Sequence, residues 1–91
     1  MALLGNEAVY EQITLRMARV LQRVAKRYSY PEIAAELNMV PRTIANYASR
    51  AETLTGAANQ GELVRWWIEN REDWARWWLA DLEIDRSDAV V

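Results

Sequence analysis

Arg42, Asn46 and Arg50 recur at four-residue steps, a spacing that stacks two guanidinium groups and a carboxamide on one face of a helix. Guanidinium groups hold anions, and a carboxamide offers a donor and an acceptor side by side to a planar edge. Thr43, Ala45, Ser49 and Thr53 lie on or beside the same face. Together these side chains fit the major groove of duplex DNA. Asn46 suits a bidentate contact with adenine, Arg42 and Arg50 suit phosphate or guanine, and Ala45 suits a thymine methyl. Thr43, near the helix start, adds a phosphate contact aided by the helix dipole. Lys26 and Arg27 offer two further cations from the end of the preceding helix.

Other chemistry is largely excluded. The 91 residues contain no Cys and no His, which removes disulfides, thiolate nucleophiles, imidazole bases and the usual zinc and haem ligands. The acids of the last third (Asp73, Asp81, Glu83, Asp85, Asp88) fall on a solvated face or near the chain end, not around an inferable pocket. An enzyme is therefore not expected, nor a catalytic residue, metal site or cofactor.

Composition bounds the rest. Hydrophobic residues are 52% and charged residues 26%, the balance of a globular chain, and the length suits one domain over residues 1–91. No apolar run approaches the roughly 18–20 residues that cross a bilayer, and the first residues lack a secretion signal's basic flank. A cytoplasmic protein away from membranes is the expectation. The formal charge of −2 is unevenly spread: residues 1–55 carry seven Lys/Arg against five acids, residues 56–91 four Arg against eight acids. A mildly basic half can face an anion while an acidic half stays clear of it.

The elements that must position these groups are helices. Val9, Ile13, Met17, Val20, Leu21, Val24 and Tyr28 recur at steps of three and four, one face of a helix from about Asn6 to Arg27, unless Thr14 caps a fresh start. Pro31 suits a first turn, and Ile33, Ala34 and Leu37 give a short second helix its buried side. A third helix over about 42–54 turns Ile44, Tyr47, Ala48 and Ala51 inward. Gly56, Asn59 and Gly61 mark a loop, and the chain is helical again from Glu62. Nothing reads as strand. The fold class is all-α, a bundle of four to five helices.

Residues 30–49 have the spacing of a helix-turn-helix. Small Ala34 sits where two helices cross, and Asn38 holds the position that most needs a left-handed backbone. Met39 plugs the turn.

The segment YSYPEIAAELNMVPRTIANYASR resembles the DNA-binding module of LuxR-type (GerE-like) response regulators. Ile13-Thr14-Leu15-Arg16 with Val20-Leu21 is similar to that family's opening helix, and residues 58–66 (ANQGELVRW) to its closing one, so the likeness covers about residues 13–68. Sigma-factor region 4 is a near competitor through Ser29-Tyr30, Glu32-Ile33-Ala34 and Ser49-Arg50-Ala51; Asn59 with Leu63-Val64 favours the LuxR type. Either resemblance implies four helices, the third lying in the major groove. The chain departs from the family at Ala45, where a lysine is usual, at Leu54, where another basic residue is usual, and at Met17, where an acid is common. Two missing cations imply weaker and less salt-sensitive binding.

Five Trp lie between positions 66 and 78, in a Trp-rich helical extension over about 69–82. On a helix, Leu63, Trp67, Trp74 and Trp78 share one apolar face and Trp66 and Trp77 flank it; with no Phe in the chain Trp67 and Trp74 can instead complete the core, but five Trp are more aromatic surface than a small core absorbs. A surplus of this kind marks a subunit interface, and the LuxR resemblance implies the same, since the closing helix is that family's usual dimer contact. The expected dimer residues are Leu63, Trp66, Trp67, Trp74, Trp77 and Trp78. Asn70 can restart the helix, Glu72 and Arg76 are spaced as an ion pair, and residues 83–91 read as a frayed end.

The expected function is a homodimeric transcriptional regulator that reads a palindromic site on double-stranded DNA. The alternative is an adaptor that keeps the helix-turn-helix scaffold and docks on another transcription protein.

Overall fold

Thr14 closes one helix and opens the next. Its backbone is extended (φ −72°, ψ 164°) and its hydroxyl accepts the Met17 N–H at 3.2 Å, an N-cap in the ordinary geometry. The computed structural model, which describes the backbone of residues 2–90 and the side chains of residues 7–82, therefore has α1 (Ala2–Gln12) and α2 (Leu15–Ala25) where periodicity alone predicts one long helix. The apolar period runs unbroken through the junction because Ile13 between the helices is itself fully buried.

α2 buries Met17, Val20, Leu21 and Val24. It ends in a Schellman closure, Tyr28 N–H bonding the Arg23 carbonyl at 3.1 Å and Arg27 N–H the Val24 carbonyl at 3.0 Å. Arg27 holds the left-handed position (φ 69°) that glycine usually fills. Ser29 then caps α3 (Tyr30–Leu37) reciprocally with Glu32: Ser29 Oγ accepts the Glu32 N–H at 3.2 Å, and the Glu32 carboxylate accepts the Ser29 N–H at 2.8 Å.

Asn38 is left-handed (φ 58°, ψ 49°), as the turn requires, and Met39 N–H bonds back to the Ala34 carbonyl at 2.8 Å. Pro41 takes the first turn of α4 (Pro41–Thr55), and Gly56 (φ 78°) closes it. Asn59 Oδ1 accepts the Glu62 N–H at 2.9 Å at the start of α5 (Gln60–Val90).

α5 is one helix of 31 residues, about 46 Å long at about 1.5 Å per residue. No restart occurs at Asn70, whose side-chain amide donates to the Trp66 carbonyl one turn back at 2.8 Å and so stays inside the helix. Arg76 pairs with Asp73 at 3.0 Å rather than with Glu72. The helical backbone continues to Val90 where a frayed end is expected; the side chains of 83–91 lie outside the described residues.

The described residues are all-helical, as the pattern predicts. Ile33, Ala34 and Ile44 pack against Val20 and Val24, fastening α3 and α4 to α2. A larger cluster joins Tyr10, Ile13, Met17 and Leu21 to Ala51, Leu63, Trp67 and Trp74, fastening α1 and α4 to the α2–α5 pair. An Arg23–Glu36 ion pair at 2.7 Å ties α3 to α2 at the surface.

Candidate nucleic-acid interface

The outer face of α4 exists because its inner face is fixed. Ile44, Ala48 and Ala51 are buried, and the helical period leaves Arg42, Asn46, Ser49, Arg50 and Thr53 on the solvent side. Thr43, Asn46 and Arg50 line one shallow hollow of about 280 Å³ together with Tyr47. Tyr47, expected inside, is half-buried: it packs against the core and also forms part of that hollow. Ala45 is half-buried on the opposite flank. Among the described residues neither Arg42 nor Arg50 is paired with a carboxylate, so both guanidinium groups are available to an external anion.

The two neighbouring helix starts differ electrostatically. α3 begins with the Glu32 carboxylate folded over its own N-terminus, and the Ser29 N–H bonded to that carboxylate holds its pKa below the ordinary value. That end already carries an anion. α4 begins at Val40, an extended residue with no side-chain cap, followed by Pro41, which has no N–H. Its positive end and the Arg42 side chain therefore face outward without an internal counter-charge.

Lys26 and Arg27 are both exposed, and Arg27 lies away from the α4 face. Arg27 lines a hollow with Tyr28, Gln60, Gly61 and Ile68, against the start of α5 rather than beside Thr43 and Asn46. The expected grouping of Arg27 with the α4 face is not what the packing produces: Arg27 turns left-handed to close α2, and the chain then runs toward Gln60, where the Tyr30 hydroxyl donates to Gln60 Oε1 at 2.8 Å. The cations beside the turn into α4 are Arg16 and Arg19, which line a hollow with Leu37, Asn38 and Met39. Their signal in the sequence is their position on α2 opposite the buried stripe, visible only once the α2–α4 packing is known.

The residues expected to meet a second copy also move. Leu63, Trp67 and Trp74 are buried in the chain's own core, and Trp66, Trp77 and Trp78 are half-buried against it. α1 and α2 cover α5 from two sides. Tyr10 of α1 meets Trp66 edge-on, with ring centroids 6.1 Å apart, and its hydroxyl faces Asn70 Oδ1 at 3.0 Å and Asp73 Oδ2 at 3.3 Å. Burial first, and the Asp73 carboxylate second, raise the Tyr10 phenol above its ordinary pKa. On the α2 side the Trp67 indole donates to Gln22 Oε1 at 2.9 Å. Among the described residues, the large apolar side chains that α5 leaves most open to solvent are aliphatic: Ile68, Leu79 and Leu82.

Among the described residues no group of three or more acids, Cys or His is placed to hold a metal, and no helix is long and apolar enough to cross a membrane. The chain matches no protein-family model, no curated protein and no solved structure.

Proposed function

We propose that this chain is a sequence-specific reader of double-stranded DNA that acts as a homodimeric transcriptional regulator, with α3, the turn and α4 used as a helix-turn-helix. The observation that carries the reading is the outer face of α4: Arg42, Asn46, Ser49 and Arg50 are exposed together on a helix whose start has no side-chain cap. In this reading α4 lies in the major groove, Asn46 contacts a base edge and Arg42 and Arg50 hold the backbone. Arg16, beside the turn, adds a phosphate contact. Lys26 and Arg27 touch at most the outer backbone. Two copies set their α4 helices about 34 Å apart on a palindromic site.

An adaptor that docks on another transcription protein is the second reading, favoured by the eight acids against four Arg in residues 56–91 and by the solvent-facing aliphatic residues of α5. Selection of bound duplexes from a random-sequence library separates the two. A DNA reader enriches a short motif repeated in inverted orientation. An adaptor enriches none.

A further inference from the structure

Tyr47 is the single aromatic residue of α4, and it belongs both to the core and to the outer face. Its ring packs against both apolar clusters, the one around Val20, Ile33 and Ile44 and the one around Met17, Leu21 and Leu63. Yet the residue is only half-buried, and it lines the hollow of about 280 Å³ with Thr43, Asn46 and Arg50. Its hydroxyl is uncommitted. Among the described residues it makes no hydrogen bond, and none of their buried side-chain oxygens lacks a partner, so this oxygen reaches solvent. Tyr10 and Tyr30 differ in this respect, since both donate within the chain, to Asn70 and to Gln60.

The place of Tyr47 on the helix says what that hydroxyl faces. At about 100° per residue, Arg42, Asn46 and Thr53 lie near the middle of the outer face. Thr43, Tyr47 and Arg50, spaced by four and three, form one edge of it. The opposite flank carries Ala45, whose side chain has no polar atom. A helix seated in a major groove turns its middle to the base edges and its flanks to the sugar–phosphate walls. The edge with Thr43, Tyr47 and Arg50 is the one equipped to meet a wall.

We propose that the Tyr47 hydroxyl donates to a phosphate oxygen of the duplex and fixes how deeply, and in what register, α4 sits in the groove. The contact rests on the DNA reading and differs in kind from those of the arginines. A guanidinium binds phosphate by charge and gives up side-chain freedom to do so. The Tyr47 ring is already held by the core, so its donor is in place before DNA arrives. A neutral donor also adds affinity on every sequence without displacing a counterion.

The test is fluorescence anisotropy of wild type and Tyr47→Phe on one labelled random-sequence duplex over a range of salt, beside the Arg42→Glu, Arg50→Glu variant. Phe keeps the ring in the core, so the melting temperature is expected to stay unchanged. Affinity is expected to fall about tenfold at every salt concentration, as for a hydrogen bond to a charged group, with the log–log salt slope unchanged. Wild-type affinity in Tyr47→Phe overturns the contact. So does a lowered melting temperature, because the hydroxyl would then be bonded inside the protein, and so does a slope shallower by about one. A wild type that binds no duplex sinks the DNA reading and this contact together. Binding that the arginine changes abolish and Tyr47→Phe leaves intact spares the reading and removes only this contact.

Discussion

The indole N–H of Trp74 donates to the backbone carbonyl of Ile13 at 3.1 Å. Trp78, one turn further along α5, donates to the same carbonyl at 3.2 Å. Ile13 lies between α1 and α2, where its carbonyl has left one helix and the chain has not settled into the next. Two donors from consecutive turns of α5 satisfy it and pin the junction. Trp74 is buried and Trp78 half-buried, so they are not equivalent. Trp74→Phe loses a hydrogen bond and buried volume together and is expected to cost about 2–3 kcal/mol. Trp78→Phe leaves the carbonyl bonded by Trp74 and is expected to cost about 1 kcal/mol or less. Denaturant unfolding of the two variants checks the order; equal losses would mean that the shared acceptor is not held as described.

Tyr10 gives the fold an alkaline limit. Its phenol must stay protonated to donate to Asn70 and Asp73, and burial with the Asp73 charge holds its pKa above the ordinary value. A group whose pKa is raised on folding contributes stability that is complete below the unfolded value, about 10, and is lost as pH rises through the folded value. Tyr10→Phe is expected to cost about 1 kcal/mol at neutral pH and to flatten the decline in stability above about pH 10. Unfolding curves between pH 7 and pH 11.5 on both chains measure the difference, and parallel declines would contradict it.

Asn38 holds the turn into α4 in a left-handed backbone (φ 58°). Asn38→Gly is expected to be neutral or slightly stabilising, since glycine adopts that backbone freely. Asn38→Ala is expected to cost about 1 kcal/mol, the lower end of the left-handed penalty. The melting temperatures of the pair decide it. An alanine variant as stable as the glycine one would remove the argument from backbone strain.

Much of the framework is legible in the sequence because it depends on local signals. The stripe Met17, Val20, Leu21, Val24 reads as a helix face, and Asn38 before Pro41 reads as a turn. Both follow from period and residue type alone. The Thr14 cap is legible only as an alternative, because Ile13 keeps the apolar period in step across the break. Glu32 is missed as the partner of Ser29 because a capping box needs the helix start placed to the residue. The tryptophans mislead for a longer-range reason. Their number exceeds what one helix buries in a small core, but α1 and α2 cover α5 from two sides, and with no Phe in the chain the core takes its aromatic volume from them. Arg27 is misplaced because the left-handed closure of α2 turns it toward α5. Of the expected DNA-contact residues, Arg42, Thr43, Asn46, Ser49 and Arg50 share one side of α4 since one helix carries them, whereas Ala45 falls on its opposite flank and Arg27, from another element, lies apart.

Within α4 the side chains are expected to separate by role. Asn46→Ala should relax base preference at one position of the selected motif while leaving affinity for random duplex within about twofold, since a base contact carries about 1–3 kcal/mol of discrimination. Ser49→Ala should change either property little. Selection with each variant against the same library reads this out, and an even loss over all sequences for Asn46→Ala would remove its role as a base reader.

In the proposed reading the α4 face binds duplex DNA through Arg42 and Arg50. Its most direct test is fluorescence anisotropy of a labelled random-sequence duplex, titrated with the full chain from low to moderate salt, wild type beside the Arg42→Glu, Arg50→Glu variant. The expected result is binding that weakens linearly on a log–log salt plot. The variant should bind more weakly on every sequence, with a slope shallower by about 1.8 for two lost phosphate contacts. No binding by the wild type at low salt, or equal binding by the variant, would mean that the α4 face is not a DNA-binding surface.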